Sequence, residues 1–194
     1  DVYQTLIEVK KYKNVAIFLL AYWFYMDGID TIVRMATAYG SDIGLETSSM
    51  ITALILTQFV GFPSTLIFGY FAERIGFKKI LSIGILIYIL ISVFASRITT
   101  ATEFYIMAIV VGLVMGGIQA LSRSTFSKLI PDTDNTTSYF SFFDVSQKVS
   151  IVLGMTLFAI LDQTTGSMRI SILIFVLIFI IGAFLLNKIK IKNV

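Results

Sequence analysis

Apolar residues along the chain fall into six blocks, each separated from the next by a short polar stretch. The blocks cover 14–38, 47–72, 80–95, 104–121, 139–161 and 169–186, and the fourth continues as a helix through Leu129 before Pro131. About 20 apolar residues in a helix cross a bilayer, so each block reads as one span. The predicted fold is therefore an all-α membrane protein with six transmembrane helices. Residues 1–13 read as a connecting loop, 14–189 as the bundle and 190–194 as a tail. Pro63, inside the second block, removes a backbone donor and predicts a kink there.

Polar residues interrupt the pattern where they are most costly. In the first block Asp27, Asp30, Thr31 and Arg34 share one helical stripe, since successive residues turn by about 100°. An ionisable side chain at the bilayer centre costs roughly 2.5–3.5 kcal/mol. Three of them facing lipid would cost about 8–10 kcal/mol, less what Arg34 saves by reaching toward an interface. The stripe is expected to face protein or a water-filled cavity. In the fifth block Asp144 and Lys148 stand four residues apart, with Ser141 and Gln147 beside them. They form either a helix-locking ion pair or part of a solute or proton pathway. Asp30 and Arg34 have the same spacing; Asp27 lacks such a partner and is the better proton carrier. Gln58 and Gln119 are read as polar cavity liners or interhelical glue.

The blocks also repeat. Met26 to Arg34 matches Met115 to Arg123 at an offset of 89, and Phe68…Gly76-x-x-Lys79-Ile80 matches Phe158…Gly166-x-x-Arg169-Ile170 at 90. A three-span repeat crosses an odd number of times, so its two copies lie inverted in the membrane. Gly112-x-x-x-Gly116 has the small-residue spacing that lets helix backbones approach.

Composition and charge narrow the class. The chain is 57% hydrophobic and 14% charged, where soluble domains run near 25% charged. Eleven of its 15 lysines and arginines fall on the side holding both ends and the loops after blocks two and four; only Arg97 and Arg169 fall opposite. The positive-inside rule makes that first side, and both ends of this segment, cytoplasmic. Cysteine and histidine are both lacking, so thiolate or imidazole metal sites and disulfides are excluded. Asp27-Gly28-x-Asp30 echoes half of an acidic metal motif of membrane phospholipid synthases, without its second Asp-x-x-x-Asp. There is no phosphate loop or nucleophile–base pair, so no enzyme, cofactor or nucleic-acid partner is expected.

The loop Gly69-Tyr70-Phe71-Ala72-Glu73-Arg74-Ile75-Gly76-Phe77-Lys78-Lys79 resembles the major facilitator loop motif Gly-x-x-x-Asp-Arg-x-Gly-Arg-Arg. Glu73 stands for its Asp and Phe77 for its first basic residue. Gly69 would allow close helix approach, Gly76 a tight turn, and Glu73 and Arg74 would pair with helix ends in one gate state. Four further stretches are similar to the vacuole-effluxer-like branch of that superfamily. These are Phe24 to Ile32, Gln58-Phe59-Val60-Gly61-Phe62-Pro63, Gly117 to Ser124, and Phe143-Asp144-Val145-Ser146-Gln147-Lys148. The resemblance covers nearly the whole chain, as the carboxy-terminal half of a twelve-span transporter whose amino-terminal half would be the partner.

It implies alternating-access transport of a small polar solute, such as amino-acid efflux, with proton coupling as a further hypothesis. Asp27, Asp30, Gln58, Gln119, Asp144 and Lys148 would line the solute or proton pathway. Two acids and a lysine suit a zwitterion. Arg34, Gly69, Glu73, Arg74, Gly76, Lys78 and Arg123 would serve gating or structure. The alternatives are a non-transporting scaffold or assembly subunit with the same fold, and a self-sufficient six-span dimer. A bacterial or archaeal plasma membrane is the expected location.

Overall fold

The structure, a computed structural model, describes residues 12–131 and 136–189. The connecting segment before Tyr12, residues 132–135 and the tail from Lys190 lie outside the described residues. Six helices follow one another: α1 Lys13–Asp42, α2 Thr47–Ile75, α3 Phe77–Ala95, α4 Ala101–Leu129, α5 Thr136–Thr165 and α6 Met168–Asn187. Each is long and apolar enough to cross a membrane, and no strand occurs among the described residues.

The helices begin and end beyond the apolar blocks because polar residues extend their last turns. At the start of α4, Thr100 and Glu103 cap each other reciprocally: the Glu103 N–H donates to Thr100 Oγ1 at 3.3 Å and the Thr100 N–H to Glu103 Oε2 at 3.1 Å. α2 runs unbroken through Pro63, whose exposed ring faces outward. Single glycines make the two tightest turns. Gly76 (φ +105°) joins α2 to α3, and Gly166 (φ +65°) lies between α5 and α6, in a region that side chains with a Cβ rarely enter.

α1 and α4 form the centre. α2 lies against α4, α5 against α1, and α3 and α6 pack on one another behind them. The α2–α4 seam is the closest because α4 has glycines where α2 approaches. A Cβ on Gly112 would stand 2.6 Å from the Thr57 carbonyl oxygen, and one on Gly116 2.7 Å from that of Gly61. Thr57 Oγ1 donates to the Ala108 carbonyl at 3.1 Å, and the Ser64 hydroxyl donates to that of Leu113. The small-residue spacing thus serves packing, as expected.

α3 and α6 close on each other's ends. Lys78, the second residue of α3, donates Nζ to the carbonyls of Asn187 (2.6 Å) and Ile189 (3.0 Å) past the end of α6. Arg169, the second residue of α6, donates Nη2 to the Ile98 carbonyl past the end of α3 at 2.9 Å. Each cation bonds carbonyls at or just past a helix's negative end, where positive charge is favourable. The exchange is what an inverted repeat requires, with each copy doing to the other what is done to it.

Three loop-motif expectations change. Nothing lies within 4 Å of a Cβ built on Gly69, so no close approach occurs there. Glu73 is exposed and makes no ion pair among the described residues, and Arg74 lies over its own helix's Tyr70 ring at 4.2 Å. Of the loop motif, Lys78 is the residue that meets a helix end here, at α6.

Candidate functional site: the open stripe of α1

α1 is enclosed on almost its whole circumference by α4, α5 and α6. Its exposed or half-buried positions between 23 and 34 are Trp23, Phe24, Asp27, Asp30, Val33 and Arg34; Trp23, Asp27, Asp30 and Arg34 follow steps of three and four and so share one face, with Phe24 and Val33 at its two edges. Of the stripe predicted from the charges, Asp27, Asp30 and Arg34 lie on α1's open face, whereas Thr31 is buried, turned toward α5. Arg34 is exposed on it, while Asp27 and Asp30 are half-buried. Of the matching positions on α4, Gln119 is half-buried and Arg123 exposed, while Gly116 lies against α2.

Helix α5 joins the two stripes. Its Gln147 Nε2 donates to Asp30 Oδ2 on α1 at 3.4 Å, and its Asp144 accepts from Arg123 Nη1 on α4 at 2.8 Å. The i,i+4 pairs allowed by spacing are not closed. The Arg123–Asp144 bridge is the one salt bridge among the described residues. Asp30 is met by Gln147 in place of Arg34, and Asp144 by Arg123 in place of Lys148. The reason is geometric: the neighbouring helix brings a donor closer than the next turn does. Arg123 also lies over the Phe140 ring, 5.0 Å from its centre, which fixes the guanidinium on α5's first turns.

Lys148 is exposed and has no partner among the described residues. It lies two residues from both Ser146 and Ser150, the buried positions that face α1, and so points away from that seam among exposed Val145, Val149 and Val152. Gln58 is exposed on the edge of α2. It borders a crevice shared with Val33, Ala36 and Thr37 of α1, and also an open apolar groove of about 830 Å³ along Phe59, Phe62 and Pro63. Gln119 is half-buried on α4's open stripe.

The seam between α1 and α5 contains residues that the charge pattern did not flag. Trp23 donates its indole N–H to Ser146 Oγ, and Ser150 Oγ donates to the Trp23 carbonyl at 3.0 Å. One turn further, Gly154 lies against the side chains of Asp27 and Thr31. Asp27 Oδ1 and Thr31 Oγ1 are both buried and have no hydrogen-bond partner there. Ser146, Ser150 and Gly154 recur every four residues, the same small-residue rule that marks Gly112 and Gly116, and that spacing could have found the seam. Behind it, Tyr25 OH and Ser122 Oγ share a 2.7 Å hydrogen bond between α1 and α4, and the Tyr22 and Phe143 rings stand 4.4 Å apart. These contacts tie α1 to both α4 and α5.

Comparison with known proteins agrees with this architecture. The family model described as "Vacuole effluxer Atg22 like" matches residues 1–193. An uncharacterised MFS-type transporter, YxiO of Bacillus subtilis, is 39% identical over 183 residues, covering 94% of this chain and 42% of its own. Autophagy-related protein 22 of Saccharomyces cerevisiae is 28% identical over 193 residues, covering 93% of this chain and 36% of its own. That of Eremothecium gossypii is 30% identical, with 88% and 36% covered. The chain spans less than half the length of these relatives. With a match along nearly all of its residues, it belongs to the vacuole effluxer Atg22-like family.

Proposed function

We propose that this chain forms one half of a twelve-span transporter that moves a small polar solute, in the amino-acid class, by alternating access. The observation that carries the reading is the position of Asp27, Asp30 and Arg34. They occupy the one open face of an otherwise enclosed membrane helix, with the polar groups of α4 and α5 beside it. Charged groups at this depth persist where they border water or one another, and are functional by default. A second six-helix half would close the other wall, with the solute held at mid-depth between the halves. Asp27 and Asp30 would meet the ammonium of such a solute, whereas Lys148, on the far side of α5, lies outside that site. Both ends of the segment would be cytoplasmic, in a bacterial plasma membrane.

A scaffold reading is favoured by one observation, the internal pairing of Asp144 with Arg123 and of Asp30 with Gln147. Both readings are tested by reconstituting the full-length protein in liposomes and following exchange of a mixture of radiolabelled amino acids. The transporter reading expects exchange that Asp30→Asn reduces at least tenfold. Absence of exchange for every amino acid, with the protein folded, supports the scaffold.

A further inference from the structure

The site on α1 leaves Lys148 unused, and the setting of this lysine defines what it needs. The apolar stretch of α5, 139–161, is centred on Ser150, so Lys148 stands two residues, about 3 Å along the axis, from mid-depth. It is exposed, has no partner among the described residues, and lies among exposed Val145, Val149 and Val152. It is turned by about 200° from Ser146 and from Ser150, which face α1, and so looks out of the bundle. Half of a hydrocarbon core is about 15 Å thick, more than a lysine side chain spans to reach a headgroup layer.

The repeat gives this position a counterpart. Gln58 precedes Lys148 by 90 residues, the offset that relates Phe68 to Phe158 and Gly76 to Gly166. It lies equally near the centre of its own stretch, 47–72, is exposed, and has no hydrogen-bond partner among the described residues. Its neighbours Ile55, Phe59 and Phe62 are apolar and exposed. α2 and α5 are the two least buried helices, held chiefly by α4 and by α1. Each therefore bears one polar group at mid-depth on an otherwise apolar free face, a neutral amide on α2 and a cation on α5.

Charge constrains what covers these faces. Acyl chains offer Lys148 no counter-charge, and an ammonium facing them at mid-depth is among the costliest placements in a membrane. A second copy of this chain, docked on the same face about a two-fold axis, would bring Lys148 toward its own image. A carboxylate on a facing helix satisfies the ammonium and is satisfied by it. In YxiO and in autophagy-related protein 22 of Saccharomyces cerevisiae more than half of the length lies outside the match, enough for a second six-helix bundle. We propose that Lys148 is a docking residue: the second half of the full-length protein lies on the free face of α5 and sets a membrane-embedded carboxylate of its own against the Lys148 ammonium. Gln58, at the matched place on α2, takes a neutral hydrogen-bonding group of the same half. An inverted repeat presents two near-equivalent flanks, and this difference in charge decides which side of the second half each flank meets. A carboxylate set against Gln58 would be left without its counter-charge.

The pairing rests on the two-half arrangement of the transport reading and is tested apart from solute exchange. Thermal unfolding of the full-length protein in lipid nanodiscs is followed for Lys148→Met, which removes the charge at similar length, and for Lys148→Arg, which keeps it. Lys148→Met is expected to lower the midpoint by several degrees, because it leaves the facing carboxylate unpaired, and Lys148→Arg to stay near the wild type. Neutralising one Asp or Glu in the spans outside this chain should then restore the Lys148→Met midpoint. A lysine facing lipid gives the opposite sign, with Lys148→Met raising the midpoint or leaving it unchanged. That outcome, or a loss that no neutralisation outside this chain restores, overturns the pairing. Should Lys148→Met not fold, the wild type is treated with a membrane-permeant carbodiimide, which joins a carboxyl to an amine in contact with loss of water. A link from Lys148 to an acid outside this chain is expected; a link to an acid within it or to a second molecule, or no link, overturns the proposal. A lowered and restored midpoint in a protein that exchanges no amino acid upholds the docking pair and removes the transport reading. Exchange with a raised or unchanged midpoint does the reverse.

Discussion

What a single methyl group would meet differs sharply among the helical glycines. At Gly112 it meets the backbone of Thr57, which cannot move without shifting α2. Gly112→Ala is expected to lower stability by about 1–3 kcal/mol, as overpacked seams do. At Gly69 it meets nothing, and the alanine gains helix propensity, so Gly69→Ala is expected to raise stability by about 0.5–1 kcal/mol. Thermal unfolding of the two variants in detergent reads the opposite signs. The Arg123–Asp144 bridge, with both side chains about half exposed, is a weaker matter. Asp144→Asn should cost no more than about 1 kcal/mol in the same measurement, so any larger loss of solute exchange would come from function. The residues of the stripe were legible in the sequence because charge in an apolar block is conspicuous. Their partners were not. Spacing along one helix offers only i,i+4 neighbours, whereas Gln147 and Arg123 arrive from helices whose placement the spacing does not contain.

Whole elements were easier to read than their ends. Six apolar blocks gave six helices, and glycine at 76 and 166 gave two of the turns, because length and backbone freedom are local properties. The way those ends are tied was hidden. Lys78 belonged to a recognised loop motif, yet its work is on the last carbonyls of α6, more than a hundred residues away. Arg169, which the charge count placed merely on the sparse side, does the same for α3. A cation at a helix's negative end contributes about 0.3–1 kcal/mol, and up to about 2 kcal/mol where partly buried. Lys78→Ala and Arg169→Ala should therefore destabilise by similar amounts in that range. A loss confined to one of the two in chemical unfolding would count against the inverted repeat as the basis of the packing.

At the scale of the molecule the two repeats share a plan and differ in their seams. In the first, α2 is bound to α4 through backbone contact at Gly112 and Gly116. In the second, α5 is bound to α1 through hydroxyls, an indole and a carboxyl. The outer face of α2 is left strongly apolar, with Phe59 82% and Phe62 79% exposed, whereas the open face of α1 carries its charges. Apolar and charged open faces on one bundle divide its surroundings into hydrocarbon or protein on one hand and water on the other. The account depends on the second. Because this chain contains no cysteine, single cysteines can be placed at Asp27, Asp30, Arg34 and Gln119, and for contrast at Phe62 and Leu66, in a full-length protein freed of other cysteines. Reaction with a charged, membrane-impermeant thiol reagent is expected at the first four positions, slowed when solute is added, and absent at the last two. If the first four are as unreactive as the last two, the stripe borders no water and the account fails.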